Sequence, residues 1–194
     1  MKALILTDGE YKTDAYDALI SLVTELLTQK KYEKIQVWEL SRRLHSCMGC
    51  FGCWVKKPGE CVIKDEMAEL DRLYMNSDAV IFLSPVVFGQ FSANIKNAID
   101  RTLPNMLPFF YRRPDGSTMH PPRYKKYPAL FLLGYGGGLD QEEAQLFRDI
   151  TAKHRYGVGV EVYRGGADAE KIRKLFRVLD RTDDIRKGKG EQAL

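Results

Sequence analysis

No stretch of the 194 residues is apolar for long enough to span a membrane. The first apolar run, Ala3-Leu4-Ile5-Leu6, turns polar at Thr7-Asp8 and is too short for a signal-peptide core. A cytoplasmic protein is therefore expected. Histidine is scarce: His45, His120 and His154 stand alone, and no acid–base dyad is apparent. No sign of charge dominates, since 30 Lys and Arg face 26 Asp and Glu, for a net charge of +4. The basic residues are scattered apart from Arg112-Arg113, residues 123–126 and Arg186-Lys187-Gly188-Lys189, which argues against a nucleic-acid partner. No internal repeat or second domain is visible. One domain over residues 1–181 and a polar, frayed tail over 182–194 are expected.

Cysteine is absent everywhere except between residues 47 and 61, where Cys47, Cys50, Cys53 and Cys61 are crowded together. Such clustering implies thiols that act together. The first three, spaced at i, i+3 and i+6 with glycines between, can converge their sulfurs. The fourth follows a Pro58-Gly59 turn that folds the chain back. An iron–sulfur cluster suits this spacing. Free or redox-active thiols are the second reading. Zinc fits less well, because its sites usually use two separated ligand pairs, and disulfides suit small secreted domains.

The remaining pattern alternates short β-rich runs with helical ones. Strands are expected over 3–7, 35–40, 79–83, 129–133 and 158–163. Helices are expected over 14–29, 65–75 (with Asp65 as N-cap), 92–103, 141–156 and 168–179. Residues 104–128 interrupt this rhythm with prolines, aromatics and basic residues, and the apolar run Leu107, Phe109, Phe110, Tyr111 suggests an interface. The predicted fold is a flavodoxin-like, doubly wound α/β domain. Its five parallel strands are ordered 2-1-3-4-5, with helices on both faces.

In such a sheet ligands bind beyond the carboxyl ends of the strands, at the switch between strands 1 and 3. Three loops then carry the chemistry. In the first, Gly9, Lys12 and Thr13 can serve a phosphate at a helix N-terminus, while Asp8, Glu10 and Asp14 put negative charge beside it. In the second, Ser84-Pro85-Val86-Val87-Phe88-Gly89, backbone N–H groups can meet a flat heteroaromatic edge. Phe88 can wall that edge in, and Gly89 permits an unusual backbone angle. The third, Gly134-Tyr135-Gly136-Gly137-Gly138, lets a backbone approach closely.

With these residues in view, the chain resembles the flavodoxin-like NAD(P)H-dependent FMN reductase family, and is most similar to its iron–sulfur flavoprotein branch. The cysteine run through Asp65, the segment from Ser84 to Gly89 and the stretch Lys96-Asn97-Ala98-Ile99-Asp100-Arg101 carry the likeness. The resemblance implies FMN at the sheet edge, with Ser84 to Gly89 on its ring. It implies NAD(P)H or a partner protein as electron donor, a small-molecule or protein acceptor, and a homodimer or homotetramer. By position, Cys47, Cys50, Cys53 and Cys61 would hold a 4Fe–4S cluster. Two departures are visible. Only Thr13 survives of the family's Ser-x-Arg-x-x-Ser-x-Thr phosphate loop, and Val87 stands where a Tyr is common. The alternative is a flavin-free scaffold that senses redox state or supports assembly.

Overall fold

Six consecutive residues, Ala3 through Asp8, are buried, so their strand has to lie in the middle of a sheet with both faces covered. The computed structural model, which describes residues 1–114, 116–153 and 159–180, places it there. In chain order the elements are β1 (Lys2–Asp8), α1 (Asp14–Gln29), β2 (Lys34–Leu40), α2 (Gly52–Val55), α3 (Met67–Met75), β3 (Ala79–Val87), β4 (Gln90–Phe91) and α4 (Ala93–Asp100). There follow β5 (Tyr111–Arg112), β6 (Thr118–Met119), β7 (Ala129–Tyr135), α5 (Gln141–Lys153), β8 (Gly159–Tyr163) and α6 (Ala169–Phe176).

The five long strands are parallel and ordered β2-β1-β3-β7-β8, which is the predicted 2-1-3-4-5. Side chains alternate across the sheet. Ile5, Ile81, Leu83, Phe131 and Leu133 face α1 and α6, where Leu19, Val23, Ile172 and Phe176 complete one core. Leu4, Leu6, Val80, Phe82 and Leu132 face α3, α4 and α5, meeting Leu70, Ile95, Ala98 and Phe147. Helix α1 starts where Thr13 Oγ1 accepts the Tyr16 N–H, and α4 where Ser92 caps Ile95.

Several boundaries move, each for a local reason. The strand expected over 79–83 continues to Val87, because Ser84 and Pro85 still pair with Gly134 and Tyr135 of β7. Strand β1 pairs no further than Leu83, so a proline without an N–H is tolerated beyond it. The helix expected from residue 65 begins at Met67. Its N-cap residue is Glu66 rather than the expected Asp65, although Asp65 Oδ1 accepts the Met67 N–H at 3.1 Å. The helix expected over 92–103 stops at Asp100, and Pro104 sits in a separate 3₁₀ turn, Leu103–Asn105. The last expected helix divides into a 3₁₀ turn, Gly166–Asp168, and α6. The insertion 104–128 contains the small β5–β6 hairpin. His154, the ends of the helix and strand expected at 154–158, and the tail expected over 182–194 lie outside the described residues. Among the described residues no helix is long and apolar enough to cross a membrane.

Candidate functional site

The carboxyl ends of β1, β3 and β7 finish side by side, with Thr7 opposite Leu83 and Ser84 opposite Gly134. Their three loops therefore share one rim, as the topology predicts. The second loop is the most shaped. It is a β-hairpin, with Val86 opposite Phe91 and Val87 opposite Gln90. Its two-residue turn is Phe88 at φ +49° and Gly89 at φ +70°, the paired left-handed angles that a type I′ turn requires. Ser84 is buried. Its hydroxyl donates to the Pro85 carbonyl (2.9 Å) and accepts the Ser92 N–H (3.0 Å), closing the base of the hairpin. Phe88 is left 89% exposed, a large ring held out in a strained backbone conformation at the rim. Val86 and Val87 are half-buried and Pro85 is buried.

The first loop is held from several sides. Asp8 is fully buried. Its Oδ1 accepts from the Glu10 N–H (2.9 Å) and from Asn94 Nδ2 (3.0 Å), while Oδ2 and the neighbouring Thr7 Oγ1 have no hydrogen-bond partner. The Gly9 N–H bonds to the Leu40 carbonyl, fastening the loop to β2. Tyr135 is buried and donates its hydroxyl to the Tyr11 carbonyl at 2.7 Å. Burial, followed by the Asp8 charge, pushes that phenol well above its ordinary range. Asp8 and Tyr135 thus brace the rim from inside. Asn94 and Tyr11 join this network without any motif in the sequence to announce them.

The cations near the first loop, Lys12 within it and Arg42 after β2, are already engaged. Lys12 Nζ lies 2.6 Å from Glu39, and Arg42 Nε 3.1 Å from Glu10. Of the glycine run, Gly134 and Gly136 exist for packing. An added Cβ would stand 2.7 Å from Val86 Cγ2 and 2.8 Å from Leu139 Cγ respectively. Gly137 and Gly138 border open space. The hairpin turn and the open glycines border the same rim. A phosphate would meet the N-terminus of α1 and the hydroxyl proton of Thr13, with no unpaired cation beside them from Lys12 or Arg42.

The cysteine loop is coiled by three left-handed residues, Gly49 (φ +63°), Phe51 (φ +55°) and Gly59 (φ +89°), and by the single turn of α2. The expected Pro58-Gly59 turn forms, closed by Glu60 N–H to the Lys57 carbonyl at 3.0 Å. All four thiols are free. Cys47 and Cys50 are exposed, Cys61 is half-buried and Cys53 is buried. Burial raises the Cys53 thiol, and the charges of Cys61, Cys47 and Cys50 raise it further. Among the described residues they do not form a ready-made metal-binding geometry.

The root of this loop is fixed by a buried ion pair. Arg101 grips Asp65 with Nη1 at 2.9 Å and Nη2 at 2.8 Å, and also donates to the His45 carbonyl. Asn97 Nδ2 holds the Leu44 carbonyl, and Trp54 Nε1 the Met106 carbonyl. These anchors draw the loop along α4 toward its C-terminal end. The flavin-loop candidates sit at the N-terminal end of α4, where Ser92 meets Ser84. Eight helical residues, about 12 Å of rise, separate the two ends. The structure therefore gathers the rim candidates in one place and the cysteines in another, on the same flank of the sheet.

Three comparisons bear on the family and the fold. The family model described as NADPH-dependent FMN reductase matches residues 1–148. The chain is 30% identical over 183 residues to an iron–sulfur flavoprotein from Archaeoglobus fulgidus, covering 92% of this chain and 77% of that one. It is 34% identical over 101 residues to an iron–sulfur flavoprotein from Methanocaldococcus jannaschii, covering 50% of this chain and 51% of that one. Among solved structures, an NAD(P)H:quinone oxidoreductase from Methanothermobacter marburgensis superposes with a TM-score of 0.61 at 14% identity, covering 100% of this chain and 99% of that chain, a likeness of fold alone. With the predicted strand order observed, the hairpin turn at the rim and the family match over most of its length, this chain belongs to the NADPH-dependent FMN reductase family.

Proposed function

We propose that this protein is an FMN-dependent, NAD(P)H-linked oxidoreductase whose four cysteines hold a 4Fe–4S cluster. The family match supports the flavin and nicotinamide chemistry. The observation that carries the cluster is the gathering of four free thiols in one coiled loop whose root is pinned by the Asp65–Arg101 pair. FMN, when bound, supplies the step between two-electron hydride transfer and one-electron traffic. The chain's own residues do the rest. The Val86–Phe91 hairpin presents Phe88 and half-buried Val86 and Val87 to one side of a flat ring. Asp8, Asn94 and Tyr135 keep the rim rigid. The N-terminus of α1 at Thr13 would hold the phosphate. No protein base is needed for hydride transfer to a flavin, in keeping with isolated histidines. The electron acceptor would be a small molecule or a partner protein. We also infer a cytoplasmic homodimer or homotetramer, for which exposed Phe109 and Phe110 offer apolar surface.

A flavin-free scaffold remains the second reading, favoured by one observation: Lys12 and Arg42 are paired with carboxylates rather than turned to a phosphate. The absorption spectrum of anaerobically purified protein, before and after reconstitution with iron and sulfide, separates the two. Flavin bands together with iron uptake above that of a Cys50→Ser, Cys53→Ser double variant are expected. Equal iron in both proteins sinks the cluster, and failure to bind FMN at tens of micromolar sinks the flavin.

A further inference from the structure

A cavity of about 660 Å³ lies on the α3–α4 flank of the sheet, beneath the insertion 104–128 and away from the rim. Its floor is Phe82 of β3 with Leu130 and Leu132 of β7, all three buried. Tyr74 and Ile99 wall it, and Met106, Tyr111, Met119 and His120 roof it. Cys47 and Gly49 of the cysteine loop border it.

The space is not slack left by a loose loop. The Leu107 N–H bonds to the Pro121 carbonyl at 2.9 Å, Arg123 Nε holds the Pro104 carbonyl at 2.8 Å, and Tyr127 donates to the Asn105 carbonyl. The roof is thus fixed by its own hydrogen bonds while the volume below stays open. An apolar cavity left empty forfeits packing energy, and this volume is that of a small-molecule pocket.

The lining states what belongs there. It includes no Lys or Arg, and its one carboxylate, Asp100, is paired with Lys96. A phosphorylated molecule such as FMN or a nicotinamide dinucleotide would enter without a counter-charge, at a high desolvation cost. Tyr74, Phe82, Tyr111, His120 and Tyr127 instead offer rings for stacking or edge contacts, and Met106 and Met119 adapt to an irregular outline. We propose that this cavity is a binding site, separate from the flavin rim, for a flat, uncharged aromatic molecule of two or three fused rings. Cys47 at its border sets such a ring against the four-thiol loop. The binding claim stands on the cavity and is independent of the redox reading.

The probe is 2,3-dimethyl-1,4-naphthoquinone, whose blocked ring carbons prevent addition of a thiol. Equilibrium dialysis uses the full chain saturated with FMN and no nicotinamide, so a rim site is occupied and no turnover occurs. One equivalent per chain is expected, with a dissociation constant on the order of tens of micromolar. Met119→Trp fills the cavity from the roof and should weaken binding at least about tenfold, whereas Met119→Ala should stay within about threefold of wild type. A second readout needs no change to the cavity wall. The bound ring should quench Trp54, which lies 4.9 Å from His120 between ring centroids. That quenching should vanish in Trp54→Phe and persist in Trp38→Phe. No binding to wild type at about 200 µM, unaltered binding by folded Met119→Trp, or quenching that depends on Trp38 would each overturn the proposal.

Discussion

Arg101 and Asp65, 36 residues apart in the chain, form a two-pronged ion pair with side chains 1% and 8% exposed. Both partners also hold His45, Arg101 at its carbonyl and Asp65 at its N–H, so one pair fastens α4, the start of α3 and the root of the cysteine loop. Arg101 Nε is buried without a hydrogen-bond partner, so the guanidinium depends heavily on Asp65. Removing one member strands the other. Arg101→Met should cost about 3–5 kcal/mol in urea unfolding, with Asp65→Asn, Arg101→Met together costing less than the sum of the singles. Under native conditions Arg101→Met should also speed thiol labelling of Cys53, since a loosened loop exposes it. Additive costs and unchanged labelling would show that the pair does not hold the loop.

The same pair and its neighbour give opposite pH dependences. Burial works to raise the Asp65 carboxyl, but the Arg101 fork and the Met67 and His45 N–H groups hold it below its ordinary range. Its stabilisation is present above the unfolded value of 3.8 and is lost as pH falls through the lower folded value. Asp71 behaves inversely. Burial pushes it up to about 6, against the Asn105 hydrogen bond and the Arg101 charge. The folded state then binds more protons between pH 3.8 and about 6, so stability declines as pH rises through that window. Asp71→Asn keeps an oxygen for Asn105 and removes the charge. It should stabilise the protein by roughly 1–3 kcal/mol at pH 7.5 and by little at pH 4. A gain of equal size at both pH values would mean that ionisation is not the cause.

The hairpin turn at the rim separates stability from binding. Phe88→Gly relieves a left-handed phenylalanine and should leave stability unchanged or improved by about 1 kcal/mol. If Phe88 lies on the flavin ring, the same change weakens FMN binding by roughly 2–10-fold. Gly89→Ala does the reverse to stability: its Cβ would stand 2.5 Å from Leu146 Cδ2 at φ +70°, at a cost of about 1–3 kcal/mol. Unchanged FMN affinity in Phe88→Gly would remove that residue from the ring site.

The strand order could be read from the chain because each buried strand is a short apolar run and the stretches between have helical spacing, as at residues 79–83 and 14–29. The Pro58-Gly59 turn was equally legible, since it is local chemistry. What the chain concealed depends on contacts distant in sequence. The extension of β3 to Val87 is decided by pairing with Gly134 and Tyr135. Ser92 and Asn94, the hydrogen-bond partners of Ser84 and Asp8, come within reach only once α4 is packed on the sheet. The course of the cysteine loop is likewise set from a distance, since the Asp65–Arg101 pair draws its root along α4.

The last prediction concerns charge at the phosphate end of the rim. Lys12 is the one cation within the first loop, and the Glu39 hydrogen bond, followed by its charge, raises the Lys12 ammonium while holding it at 2.6 Å. Both side chains are about half exposed, at 49% and 51%, so the contact is screened and contributes little to folding. Glu39→Gln should therefore leave the melting temperature nearly unchanged. It frees Lys12 and removes a negative charge beside the N-terminus of α1, where an anion is favoured. FMN should then bind roughly 2–10-fold more tightly in low salt, and the gain should shrink near 0.5 M salt, where the Debye length falls to about 4 Å. Riboflavin supplies the control, because it carries the same ring without the phosphate and should bind wild type and variant alike. A riboflavin gain equal to that of FMN would mean that the mutation acts on the ring site or the loop conformation, and Lys12 would have no part in holding a phosphate.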